Sequence, residues 1–153
     1  MKKLMVMMMA LMVAMMAGAQ SVDELYEQGK ALYDAKDYAA AIAKLRPAAE
    51  KGHKKAQYRM GRCYDKGRGV AENNDEAFKW YAKSAAQGYY KAEYQMARSY
   101  IKGKGVTPDE KKAKSWVKKS VSGKKHGAEM LQEIKDGAAG GDKTDQRLLE
   151  LLN

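Results

Sequence analysis

The residues of this chain best suited to chemistry are tyrosines and cations at a shared spacing. Tyr26, Tyr58 and Tyr94 are each followed four positions later by a cation, Lys30, Arg62 and Arg98, and Lys55 and Lys91 stand three positions before the second and third tyrosines. Guanidinium groups make charge-assisted hydrogen bonds to carboxylates, and tyrosine and arginine dominate binding hot spots, so the set suits the capture of an acidic peptide. The alternative is that the tyrosines pack one helix against the next. By 3.6-residue geometry Tyr58 and Arg62 lie about 200° and 240° around a helix from Ala56. They therefore fall outside the apolar stripe of Ala56, Met60 and Tyr64, and another surface must meet them. If the ladder is a binding groove, alanine at Arg62 and Arg98 should abolish binding and leave helicity intact.

A second set is purely cationic. Nine lysines lie between Lys102 and Lys125 against only Asp109 and Glu110. Among them Lys111, Lys112, Lys114, Lys118 and Lys119 alternate with the apolar Ala113, Trp116, Val117 and Val121, which predicts an outward helix face. Such a face either keeps the protein in solution or meets an acidic protein, an anionic envelope polymer or a membrane surface. Nucleic acid is a poorer match, because few aromatics are interleaved to stack on bases.

Other chemistry is excluded more simply. The histidines, His53 and His126, sit at predicted turns, the lone cysteine is Cys63, and no His-x-x-x-His or Cys-x-x-Cys exists, so no metal site and no cofactor are expected. Nothing orders a Ser/His/Asp or Cys/His constellation, so no catalytic residue is assigned. The Gly-x-Gly-Val segments at 67–70 and 103–106 lack the strand and the Gly-Lys-Ser/Thr of a phosphate loop. One cysteine forms no internal disulfide, and packing alone must hold the fold; Cys63 itself reads as a small buried residue.

The elements that carry these residues follow from an internal repeat. Ala56, Met60, Tyr64, Gly67, Gly69, Val70, Ala77 and Trp80 recur 36 positions later as Ala92, Met96, Tyr100, Gly103, Gly105, Val106, Ala113 and Trp116. Ala56, Met60, Cys63 and Tyr64 make one helical stripe, and Ala92, Met96, Ser99 and Tyr100 repeat it. Each stripe ends at Gly-x-Gly-Val, where glycine allows a left-handed turn. Thr107-Pro108-Asp109-Glu110 predicts the next helix start with a hydroxyl cap and proline in the first turn, and Asn73-Asn74-Asp75-Glu76 is a looser version. Each unit is then a pair of antiparallel helices, and such a hairpin must stack on neighbours to bury its faces.

The predicted divisions are 1–19, 20–53, 54–88, 89–124 and 125–153. Residues 1–19 combine Lys2 and Lys3, an uncharged apolar run holding eight of the eleven methionines, and Ala17-Gly18-Ala19, the pattern of a cleaved secretory signal. With that segment set aside, 20–153 carries a net charge of +8. Export to the periplasm or beyond is expected, with neither a transmembrane anchor nor a lipid-bearing cysteine in the mature chain. Residues 125–153 read as a decayed repeat helix, a flexible break at Gly137-Ala138-Ala139-Gly140-Gly141 and a terminal helix capping the last apolar edge.

The pattern Ala-x-x-x-Met-Gly-x-x-Tyr-x-x-Gly-x-Gly-Val, followed by Asp75-Glu76-Ala77-Phe78-Lys79-Trp80-Tyr81, resembles the Sel1-like repeat family. The second copy departs from the first at Ala97 and Val117, and the 24–52 hairpin is more similar to a tetratricopeptide repeat through Gly29, Tyr38, Ala41, Leu45 and Ala48. The resemblance implies an all-α, right-handed solenoid of antiparallel helix hairpins with a C-terminal capping helix. It also implies a non-catalytic protein-binding scaffold whose first helices line a concave groove, which would place the tyrosine and cation ladder there. A cysteine-rich branch is linked to β-lactam binding and hydrolysis through inter-hairpin disulfides. Ala86 and Ala92 stand at about those cysteine positions, so that activity is not carried over and a β-lactam-binding enzyme remains only the weaker, third alternative.

Overall fold

The computed structural model describes residues 20–153; the expected export signal at 1–19 lies outside the described residues. These form eight α-helices and no strand: α1 (Val22–Asp34), α2 (Tyr38–Glu50), α3 (Lys54–Lys66), α4 (Asn74–Ala86), α5 (Tyr90–Lys102), α6 (Glu110–Ser122), α7 (Gly127–Ala139) and α8 (Lys143–Leu152). Consecutive helices pair as hairpins, and each hairpin packs on the next to give an α-solenoid.

Local signals set the helix starts. Ser21 accepts from the Glu24 amide while the Glu24 carboxylate takes the Ser21 amide at 2.8 Å, a reciprocal capping box. Asn73 caps α4. The start of α6 differs from the expected one: the cap is Asp109, whose carboxylate accepts from the Lys112 amide at 3.0 Å, rather than Thr107. A carboxylate is the better acceptor at that position, and Asp109 holds the same register as Asn73. His53, a turn residue by sequence, caps α3 through Nδ1, which accepts from the Ala56 amide at 3.1 Å. Its ring stacks on Tyr26, with centroids 4.2 Å apart. Burial lowers its pKa, with Asp23 opposing, and this keeps the neutral acceptor form.

The two Gly-x-Gly-Val turns close alike. The Cys63 carbonyl takes the amides of Gly67 and Arg68, and the Tyr64 carbonyl takes that of Asn73. One unit later Tyr100 receives Asp109. The second glycine of each turn lies against the first residues of the preceding unit's second helix. A Cβ at Gly69 would stand 2.7 Å from the Tyr38 carbonyl oxygen, and one at Gly105 would collide with that of Asn74.

Small and apolar residues fill the interfaces. Leu45, Ala48, Ala56, Met60 and Cys63 share a core with Trp80, Ala77, Tyr81, Ala85, Ala92 and Met96 form a second, and Ala97, Ala113, Val117, Met130, Ile134 and Leu148 a third. Cys63 is fully buried, and burial pushes its thiol up to about 11, the state of an unreactive core residue.

The C-terminal region corrects the expected flexible break. α7 continues through Gly137, and the turn is only Gly140, Gly141 and the cap Asp142. The glycine at 137 serves a close approach instead, since a Cβ there would collide with the Asp145 carboxylate. α7 and α8 thus complete a fourth hairpin, and α8 also packs on α5 and α6.

Candidate functional site

The ladder residues do not share one environment. Tyr26 is buried beneath His53, with the Lys55 ammonium 6.0 Å from its ring centre. Lys30 pairs with Glu27 at 3.8 Å on the same helix. Lys91 lies over Tyr90 rather than Tyr94. The regular part of the ladder is therefore two steps, Tyr58 with Arg62 on α3 and Tyr94 with Arg98 on α5. In each the guanidinium donates to the phenol oxygen four residues earlier, at 3.1 Å and 2.9 Å.

At the second step the pair already holds an acidic segment. The Tyr94 hydroxyl donates to Asp145 Oδ1 at 2.6 Å, Arg98 Nη1 donates to the same oxygen at 2.5 Å, and Arg98 Nη2 donates to Asp142 Oδ2 at 2.7 Å. Asp142 is the N-cap of α8 and Asp145 lies in its first turn, and Asp142 Oδ1 also accepts from the amides of Thr144 and Asp145. Leu148 on the same helix is fully buried among Val117, Met130 and Ile134, and Arg147 binds both oxygens of Glu110 at 2.8 Å and 2.7 Å. One face of α8 thus supplies two carboxylates and an apolar anchor to the α5–α7 surface.

The electrostatics of Asp142 give a measurable signature. Burial opposes its charge, but the hydrogen bond and positive charge of Arg98 hold its carboxyl at about 2, below the ordinary 3.8. A carboxyl depressed in the folded state stabilises fully above the unfolded value and loses that contribution as pH falls through the folded value. The loss is expected between about pH 4 and pH 2 and amounts to about 1 kcal/mol, discounted because the side chain is 34% exposed. Asp142→Asn retains a good helix cap and should flatten that part of the profile in urea unfolding at pH 5 and pH 3. A variant that loses stability with acid as steeply as the parent would rule out this titration.

At the first step no acidic segment is docked among the described residues. Tyr58 packs edge-on to Tyr89 at 5.3 Å. Arg62 Nε is buried with no hydrogen-bond partner among the described residues, and so is the Tyr81 hydroxyl. Arg62 and Tyr81 line a cavity of about 240 Å³ between α3 and α5, together with Asp65, Lys66, Arg98 and Lys102.

The lysines expected on an outward face of α6 are not all equally open. Lys111, Lys112, Lys118 and Lys119 are exposed and Lys114 is half-buried. Lys112 lies 3.6 Å from Asp109, and the Lys119 ammonium stands 4.3 Å over the Trp116 ring.

Sequence reasoning missed Asp142, Asp145, Tyr81 and Lys102. A signal existed for three of them: the four-residue step continues from Arg62 to Lys66 and from Arg98 to Lys102, and Asp142-x-x-Asp145 opens the terminal helix. Among the described residues no cluster of His, Cys, Asp and Glu could hold a metal, and no helix is long and apolar enough to cross a membrane.

Comparisons with known proteins agree with this architecture. The Sel1 repeat model matches residues 13–53, 54–89 and 91–123, so the hairpin compared above with a tetratricopeptide repeat falls within the first match. The crystal structure of a Sel1 repeat protein from Oxalobacter formigenes is similar at 29% identity and a TM-score of 0.65, over 82% of this chain and 55% of that one. That of c5321, a protective antigen of uropathogenic Escherichia coli strains displaying an SLR fold, is similar in fold at 23% identity and a TM-score of 0.69, over 93% of this chain and 33% of that one. The chain therefore spans about half and a third of the lengths of these two proteins. No curated protein matches it.

Proposed function

Because the chain belongs to the Sel1 repeat family, a fold of stacked hairpins used for protein interaction, we propose that it is a non-catalytic scaffold whose α3–α5 surface binds an acidic segment of another protein. The observation that carries this reading is the docking of Asp142 and Asp145 on Tyr94 and Arg98. It supports carboxylates as the chemistry a Tyr/Arg step of this surface would accept, and Tyr58 with Arg62 presents the same step one repeat earlier. Export belongs to the same proposal and is supported by the residue pattern of 1–19.

A fluorescent hexa-aspartate peptide titrated with the protein tests the reading. Binding is expected, Arg62→Ala should weaken it about tenfold, or about 1.4 kcal/mol, and part of the affinity should survive 1 M salt. The exposure of Lys111, Lys112, Lys118 and Lys119 favours a second reading, an anionic polymer or surface held by that face. Four alanines there should then abolish binding while Arg62→Ala leaves it unchanged, and 1 M salt, where the Debye length is about 3 Å, should release the ligand completely.

A further inference from the structure

We infer that the cavity between α3 and α5 is a pocket for a single carboxylate, an aspartate or glutamate side chain of the partner, received by Arg62 Nε, the Tyr81 hydroxyl and the Lys102 ammonium. This rests on the proposed function and goes beyond it by naming the group that enters, the place it occupies and two residues, Tyr81 and Lys102, outside the expected ladder.

Charge accounting within the cavity leads to this assignment. Asp65 is already paired, with Lys66 and Lys104 each at 3.1 Å, and Arg98 is satisfied by Asp142 and Asp145. Glu133 also lines the space and is exposed. Arg62 and Lys102 have no carboxylate within ion-pair reach among the described residues. Burial lowers the pKa of Lys102, and the nearby cations Arg98, Lys104 and Lys66 lower it further against the opposing charge of Asp142. An added anion would relieve that repulsion.

Two buried polar atoms belong to residues that line the pocket. The Tyr81 side chain lies on α4 with the residue 2% exposed, and its ring is fixed against Gly61, where a Cβ would stand 2.5 Å from two ring carbons. Its hydroxyl and Arg62 Nε are both donors without an acceptor, and an unsatisfied buried donor costs about 1–3 kcal/mol. One carboxylate has lone pairs for both. The volume of about 240 Å³ is several times the roughly 30 Å³ share of one water, enough for a side chain.

The repeat supplies the occupant's chemistry. Thirty-six residues on, Tyr81, Tyr94 and Arg98 become Val117, Met130 and Ile134, and that equivalent space is closed by Leu148 of α8, all four residues lying in one buried cluster. The chain thus fills the apolar version of the site with its own leucine. The polar version, with two donors and a lysine, fits a chain segment that brings an acid.

The arginine Nε–H gives a direct readout. In 15N-labelled protein titrated with N-acetyl-aspartate and then with hexa-aspartate, the Arg62 Nε–H resonance should move saturably downfield while that of Arg98, already paired, stays in place. Tyr81→Phe, which keeps the ring against Gly61, should weaken hexa-aspartate binding about threefold to tenfold, and Lys102→Gln should weaken it by a similar factor. If hexa-aspartate binds but the Arg62 signal is still and both variants bind like the parent, the pocket assignment fails and the groove reading stands. Absence of any hexa-aspartate binding overturns both. An equal, saturable shift with inorganic phosphate at the same concentration overturns the assignment to a carboxylate.

Discussion

Arg98→Ala is expected to destabilise the protein by about 3–5 kcal/mol, the cost of stranding one member of a buried ion pair. Its guanidinium is the shared partner of Tyr94, Asp142 and Asp145, and Asp145 is only 3% exposed. Without Arg98 that carboxylate must protonate or drag the first turn of α8 into water, which opens the space filled by Leu148. Arg62→Ala removes the same residue type at the same repeat position, yet its hydrogen-bond partner is a single phenol, so the expected cost is about 1 kcal/mol or less. Guanidinium chloride unfolding of the two variants makes the comparison. Equal, small losses would show that α8 is not held by this ion pair. A double variant with Asp145→Asn tests the coupling further, because removing both charges should recover part of the stability lost at Arg98.

That contrast divides the ladder in two, which the sequence could not do. By sequence, alanine at Arg62 and Arg98 together should abolish binding in a groove and leave helicity intact, because Tyr58/Arg62 and Tyr94/Arg98 are identical in type and spacing. What separates them is a contact spanning 44 to 51 residues, made by α8. The hairpins themselves were legible because their signals are local: Asn73 as a cap, the Ala/Met/Tyr stripe and the Gly-x-Gly-Val turn each act within one unit, although the sequence points to Thr107 as the cap of α6 and the cap stands two residues later, at Asp109. Gly137 was misread for the complementary reason. Beside Gly140 and Gly141 it looks like part of a flexible run, and only the folded chain shows the Asp145 carboxylate pressed against it. Tyr81 was legible as an apolar stripe member, and its ring is one; its unpartnered hydroxyl becomes visible only when Arg62 is seen lining the same cavity.

Gly105→Ala is expected to cost about 2–5 kcal/mol. About 1–2 kcal/mol comes from forcing an L-residue into the left-handed conformation found there, φ +67. A further 1–3 kcal/mol or so comes from overpacking, since the new Cβ collides with the Asn74 carbonyl at the start of α4. Gly88→Ala separates the two contributions, because Gly88 has φ +70 with nothing near the added carbon and should show only the first. If the two variants unfold at the same denaturant concentration, the repeats adjust freely and the close approach does not set their spacing. The recurrence of this contact at Gly69 and Tyr38 makes that outcome hard to reconcile with the geometry, since both turns rest backbone against backbone on the preceding hairpin. With no side chain between them, neighbouring hairpins have one separation, and the width of the α3–α5 cavity follows from it. Gly105→Ala should therefore weaken hexa-aspartate binding as well as stability, although residue 105 lies outside the groups that would touch the acid.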